Sequence, residues 1–195
     1  MPDPPRTSDS GPNPGLLLDR DGVITINREH YVLSWDDVAF YPGSLEALSS
    51  IGVAHHKIAI VTNQSAVGQG LLSLQEADDI NRRIVEAVVS SGGRIDRVFM
   101  CPHHAQFGCS CRKPRPGLIQ QAIGELNLDP SQSILIGDAA SDIESGFRAG
   151  IGQLVLVRTG RGQSQEARTL AANYPHLRVF DDLRGAIKDL FAQSQ

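Results

Sequence analysis

The sequence predicts an α/β fold, a doubly wound three-layer sandwich whose central sheet is mainly parallel, with no large cap domain. Three observations predict it. Short apolar runs recur along the chain, bounded by turn residues. Stretches with helical spacing separate them, so that strand and helix alternate. The runs are apolar throughout rather than alternating, as in strands buried on both faces of a parallel sheet.

The elements follow in order. Residues 1–14, MPDPPRTSDSGPNP, are rich in Pro, Ser, Asp and Gly and read as a disordered tail. Order is expected from GLLLD (residues 15–19), a buried strand. PGSLEALSSIG opens a helix after Pro42-Gly43 and stops near Gly52. KIAIVTN (57–63) is the second strand. SLQEADDINRRIVEAVVSSGG carries Ser73 with Glu76 three residues on, a capping box, and stops at Gly92-Gly93. RIDRVFMC (94–101) is the third strand, SILIGD (133–138) the fourth and QLVLVRTG (153–160) the fifth. PGLIQQAIGELN, SDIESGFRAG and LRGAIKDLFAQ are the remaining helices. Residues 15–195 are read as a single domain, a size that one core accommodates.

Bulk properties narrow the function. The net charge is −4, which gives no global basic field for nucleic acid. No apolar run reaches the length of a membrane span, and the N-terminus lacks a signal-peptide layout. The expectation is a cytoplasmic protein with reduced thiols, without a membrane or nucleic-acid partner. The lack of an obvious apolar stripe favours a monomer. Neither a GxxxxGK phosphate loop nor a dinucleotide GxGxxG occurs.

In doubly wound folds ligands bind beyond the carboxyl ends of the strands. The residues there are Asp19-Arg20-Asp21-Gly22, Thr62-Asn63-Gln64-Ser65, Cys101 with its loop, and Gly137-Asp138. Asp19 and Asp21, two apart, point the same way at strand spacing. Alone they fit a polar turn equally well, as Asp138 and Asp142 fit a capped helix start. Together the strand-exit acids suit Mg²⁺, which prefers hard oxygen ligands. Thr62, Asn63 and their neighbours are anion donors next to a helix start.

All three cysteines, Cys101, Cys109 and Cys111, lie in one short loop with His103 and His104. Cys101-x-His103 and Cys109-x-Cys111 offer four ligands of the kind tetrahedral Zn²⁺ takes. His103 mirrors the spacing of the second pair and is preferred to His104. A closed ligand set makes such an ion structural. It would order the loop 101–111 and so fix Arg112 and Lys113.

The order LDRDGV, VTNQS, CPHH…CSCRKPRPG and IGDAASD resembles the haloacid dehalogenase-like (HAD) phosphatases, over about residues 15–159. Within them it is similar to the heptose 1,7-bisphosphate and histidinol-phosphate phosphatases. LVLVRTG and Pro116-Gly117 look more like the heptose branch. The resemblance implies a small phosphorylated sugar as substrate, with histidinol phosphate as the rival. Asp19 would be the nucleophile that forms an aspartyl-phosphate, and Asp21 the general acid and then base. Asp19, the Asp21 carbonyl and Asp138 would hold Mg²⁺. Thr62 and Lys113 would hold the phosphoryl oxygens, and Asn63 would help place the substrate. Asp142 would orient Lys113 or cap its helix, and Arg112 would meet the distal phosphate or the sugar.

The chain departs from the heptose pattern in three places. It reads DGVIT with Asn27 two residues on, where relatives read DGVIN or DGTIN. It has Ala66 in NQSA for NQSG, and Gln69 where an Arg is common. The pocket is expected to be shaped by residues 27–41 and the cysteine loop, with Tyr31 and Trp35 as candidate lining. A polynucleotide 3′-phosphatase shares such a core but needs a basic groove. A phosphate-binding module without catalysis would keep the fold, yet it has no need of the intact acids and lysine.

Overall fold

The computed structural model describes residues 11–51 and 55–192. In chain order the elements are β1 (Asn13–Leu18), α1 (Ser44–Ser50), β2 (Lys57–Asn63), α2 (Ser65–Gly68), α3 (Leu74–Ser90), β3 (Arg97–Cys101), α4 (Gly117–Leu126), β4 (Leu128–Gly137), α5 (Ala140–Arg148), β5 (Gln153–Val157), α6 (Gly162–Ala171), β6 (Leu177–Phe180) and α7 (Leu183–Leu190). Single 3₁₀ turns lie at Trp35–Asp37 and Ala105–Phe107. The six strands form one sheet in the order β3-β2-β1-β4-β5-β6, and every pairing is parallel.

Alternation along each strand builds two cores. Leu16, Leu18, Ile58, Ile60, Ile134 and Ile136 face Leu48 of α1, Ile80 and Ile84 of α3 and Ile187 of α7. Leu17, Ala59, Val61, Leu135 and Leu154 face Leu118 and Ile119 of α4 and Ile143 of α5. The central strands are buried on both sides, so the apolar runs show no polar alternation.

The expected capping box starts α3. The Glu76 N–H donates to Ser73 Oγ at 3.1 Å, and the Ser73 N–H donates to Glu76 Oε2 at 2.8 Å. The stop expected at Gly92 has φ +90°, a conformation that favours glycine. Gly52, where α1 was expected to stop, lies outside the described residues.

Several strand boundaries differ from the expectation, and two elements are added. β1 takes in Asn13 and Pro14, two residues assigned to the tail. The Asn13 N–H donates to the Asn127 carbonyl at 2.8 Å, and the register shifts between Pro14 and Leu16. A proline has no N–H to give, and such an irregularity is where a strand tolerates it. β4 begins at Leu128 rather than Ser133. A sixth strand, β6, and the polar helix α6 complete one edge of the sheet.

Sheet order decides where a ligand can go. From β1 the chain builds outward to β2 and β3, then returns to build β4, β5 and β6 on the other side. β1 and β4 flank that reversal, and the crevice beyond their carboxyl ends is the binding place in such sheets. Asp19 follows β1 and Asp138 follows β4.

Candidate active site and metal centres

The Asp19 N–H donates to the Ile136 carbonyl at 3.0 Å, which sets Asp19 beside the end of β4. Lys113 reaches the same place from the end of the cysteine loop and is buried. Its Nζ lies 2.7 Å from Asp142 Oδ1, 3.0 Å from Asp19 Oδ1 and 2.8 Å from the Val61 carbonyl. Burial alone would lower the lysine pKa, but Asp142 and Asp19 reverse this and raise it. Asp142 performs both roles considered for it, because its other oxygen accepts the Ala139 N–H at 3.0 Å and caps α5.

Asp138 is buried under two glycines. Oδ2 accepts the Arg161 N–H at 2.9 Å. A side chain on Gly22 (φ +96°) or Gly160 (φ +58°) would collide with its carboxylate. Around this point, oxygens of Asp19, Asp138 and Asp142 all lie within 4.8 Å of one another. Burial, helped by neighbouring acids and opposed by Lys113, pushes Asp19 up to about 8. Burial and Asp142 push Asp138 up to about 6. One ammonium does not balance three close carboxylates, and hard oxygen donors with surplus negative charge fit a divalent cation such as Mg²⁺.

Asp21 stands just past the strand and is held differently. Burial works against its charge, but Arg20 above all, with Gln64 and Thr25, holds its carboxyl below the usual range. Arg20 Nε and Nη2 fork onto its two oxygens at 3.1 and 2.8 Å. Thr25 Oγ1 donates to it at 3.0 Å and Gln64 Nε2 at 2.9 Å. The Asp21 side chain is thus turned away from the acid cluster and has no place in it. Its main chain is the part left for an ion, since the bonds to Thr25 use the Arg20 carbonyl and the Gly22 N–H.

The second cluster is the cysteine loop. Cys101 Sγ lies 3.2 Å from Cys111 Sγ and 3.6 Å from Cys109 Sγ, and Cys109 and Cys111 are 3.5 Å apart. His103 Nδ1 lies 3.2 Å from Cys111 Sγ and 3.6 Å from Cys101 Sγ. All three cysteines are free thiols. Ligands about 2.3 Å from a tetrahedral Zn²⁺ would be about 3.8 Å apart. The five separations above run slightly shorter than that, so the donor set and its spacing fit Zn²⁺. His104 stays outside it, and its Nδ1 accepts the Gln106 N–H at 3.4 Å. The loop rests on α2, where Gly68 has no room for a side chain against Pro102 and His104.

A cleft of about 530 Å³ joins these groups. It is lined by Asp19, Asp21, Thr62, Asn63, Arg112, Lys113 and Asp138, and also by Asn27, Arg28, Tyr31 and Arg161. Thr62 Oγ1 accepts from Gln64 Nε2 at 2.8 Å. Asn63 clamps the Lys113 main chain from both ends of its amide, at 3.1 and 3.2 Å. Arg112 Nη1 donates to Ser65 Oγ at 2.6 Å. Tyr31 lines the cleft and its hydroxyl accepts from Gln69 Nε2 at 2.8 Å. Trp35 does not line it. The Arg83 guanidinium stacks on its ring at 4.2 Å, and the ring packs on the core instead. Ala66 is wholly buried packing. Thr25 is a buried partner of Asp21.

Three functional groups are not individually marked by the sequence. Arg20 stands between two aspartates and is given no role by the motif, yet it is 1% exposed. Gln64, within the quoted VTNQS, bridges Asp21 and Thr62. Arg161 is a further cation on the cleft wall, and no motif marked it.

A parallel six-stranded sheet with acids at its switch point and a lysine between them, together with the relatives that follow, makes this a HAD-type phosphatase, a phosphoric monoester hydrolase. The HAD-hydrolase-like family model matches residues 110–186. The D-glycero-beta-D-manno-heptose-1,7-bisphosphate 7-phosphatase of Pseudomonas aeruginosa is 37% identical over 169 residues, covering 86% of this chain and 92% of that protein. The protein of that name from Pasteurella multocida is 36% identical and covers 90% of this chain and 97% of its own length. Among solved structures, the D,D-heptose 1,7-bisphosphate phosphatase of B. bronchiseptica, complexed with magnesium and phosphate, superposes with a TM-score of 0.82 at 32% identity. The match covers 92% of this chain and 99% of that one. The chain belongs to the heptose-1,7-bisphosphate 7-phosphatase family of HAD-like hydrolases.

Proposed function

We propose that this protein removes the 7-phosphate of D-glycero-β-D-manno-heptose 1,7-bisphosphate through an aspartyl-phosphate. The substrate rests on the named relatives, and the mechanism on one observation. Asp19, Lys113, Asp142 and Asp138 converge at the switch point, with Asp21 beside them in the same cleft.

Asp19 attacks phosphorus as the ester oxygen departs. Asp21 protonates that oxygen and later takes the proton of the attacking water. In the ligand-free arrangement Asp21 is held ionised. An incoming phosphate, itself an anion, pushes it the other way, because a like charge favours the protonated carboxyl. Lys113 and Thr62 hold the phosphoryl oxygens. Asn63 acts mainly by fixing the Lys113 backbone, and Arg112 faces the distal phosphate. Asp19, Asp138 and the Asp21 carbonyl would hold Mg²⁺. Bound there, the ion supplies positive charge that offsets repulsion between nucleophile and phosphate. Cys101, His103, Cys109 and Cys111 would hold a structural Zn²⁺ that fixes the loop carrying Arg112 and Lys113.

Residues 15–195 act as one domain in this reading, following the tail. A monomer suffices, because one chain supplies the whole cleft. Among the described residues no helix is long and apolar enough to cross a membrane, and free thiols suit the cytoplasm.

The test is phosphate release with Mg²⁺ from the α and β anomers of the bisphosphate and from histidinol phosphate. Asp19→Asn serves as the blank, with a loss of at least about a thousandfold expected, because the amide is no nucleophile. The β anomer should be preferred. Preference for histidinol phosphate would overturn the substrate, and normal turnover by Asp19→Asn would overturn the mechanism.

A further inference from the structure

The buried face of α3 carries Ala77, Ile80, Asn81, Ile84 and Val88. Asn81, at 4% exposure, breaks an otherwise apolar stripe. Asparagine is a poor helix former, and a buried amide costs free energy unless its polar atoms are paired. Both ends of this amide are committed. Oδ1 accepts from Arg20 Nη1 at 2.7 Å, and Nδ2 lies 3.5 Å from Met100 Sδ on β3. The other edge of the same guanidinium is the fork onto Asp21. A guanidinium is planar and rigid, so a bond at one nitrogen fixes the direction in which the fork points. The line runs from α3 through Asn81 and Arg20 to the carboxylate in the cleft.

We propose that Asn81 is a positioning residue for the phosphatase reaction, anchoring Arg20 so that its fork sets the Asp21 carboxylate for proton transfer. The inference rests on the acid–base role given to Asp21 above. In the step served, a bond forms between Asp19 and phosphorus, the bond from phosphorus to the leaving oxygen breaks, and the Asp21 proton goes to that oxygen. A sugar alkoxide needs that proton, whereas 4-nitrophenolate leaves without it.

The experiment compares single turnovers, enzyme in excess and Mg²⁺ present, on the heptose bisphosphate and on 4-nitrophenyl phosphate. Asn81→Leu removes the acceptor. Asn81→Asp keeps an acceptor for Arg20. Asn81→Leu should slow sugar-phosphate cleavage by about tenfold to a hundredfold, with nitrophenolate release changed less than about threefold. The enzyme concentration that gives half-maximal rate should not move, and Asn81→Asp should recover most of the rate. Equal slowing of both substrates, or no slowing, overturns the proposal, since a general distortion of the site slows both alike. If Asn81→Leu does not fold, Asn81→Ser, whose shorter side chain falls short of Arg20, carries the same comparison. Asp21→Asn is the reference. If it slows both substrates equally, the acid role of Asp21 fails and the proposal falls with it. If it is selective and the Asn81 variant is not, the proposal alone falls.

Discussion

The buried Lys113 has three ammonium protons and three acceptors, two of them carboxylates. Replacing it by Met keeps the length of the stem and removes the charge, which leaves Asp19 and Asp142 facing each other uncompensated. Breaking a buried pair in this way costs about 3–5 kcal/mol. Lys113→Met should therefore lower stability by about that much at pH 8 and turnover by at least about a hundredfold. The stability loss should shrink at pH 5, where the stranded acids can neutralise themselves by taking up protons. Thermal unfolding at the two pH values checks this, and equal losses would show that the stranded carboxylates are not the source of the loss. In the sequence Lys113 reads as an ordinary solvated lysine before a proline, and only the neighbouring motifs raised it. Asp19 and Asp138 were legible because each closes an apolar run. Arg20 was not, because nothing local shows that a charge between two aspartates is buried under α3.

The cysteine loop brings the ligand atoms of Cys101, His103, Cys109 and Cys111 together. It has no apolar core of its own and lies on α2 by backbone contact at Gly68. Cys109→Ser should lose zinc and loosen residues 101–111 while leaving the sheet intact. Metal analysis and amide exchange measure the two effects separately. Full zinc content in that variant would overturn the ligand assignment. Turnover should fall with the zinc, because the same loop delivers Arg112 and Lys113. The loop was legible from ligand spacing, and α3 from its capping box. β6 and α6 were not. β6 is LRVF, four residues at an edge with no fully buried position, and α6, GQSQEARTLA, buries only Gly162 and Thr169. Edge elements leave a weak apolar signature because they have little to cover.

For the molecule as a whole, strand exits bearing acids were readable, but the strand order that brings Asp19 next to Asp138 was not. Pairing β1 with β4 joins residues more than a hundred apart, and no local pattern encodes that. The consequence of the pairing is electrostatic and global. Asp19 is pushed up to about 8 and Asp138 to about 6, against an ordinary value of 3.8. At these two groups the folded chain without a cation therefore holds more protons near neutral pH than the unfolded chain. Their contribution to stability then falls as pH rises from about 4 through about 8, the reverse of a salt-bridged acid. Mg²⁺ binds the ionised carboxylates, so its stabilisation must grow over the same interval and be accompanied by proton release. At a concentration a hundred times its dissociation constant, the ion adds about 2.7 kcal/mol, or about 5–10 °C in Tm for a chain of this size. The shift at one fixed Mg²⁺ concentration should approach that value at pH 8 and be less than half of it at pH 6. Differential scanning calorimetry with and without Mg²⁺ at the two pH values measures it. A larger shift at pH 6 would mean that the ion binds somewhere other than the acids of the switch point.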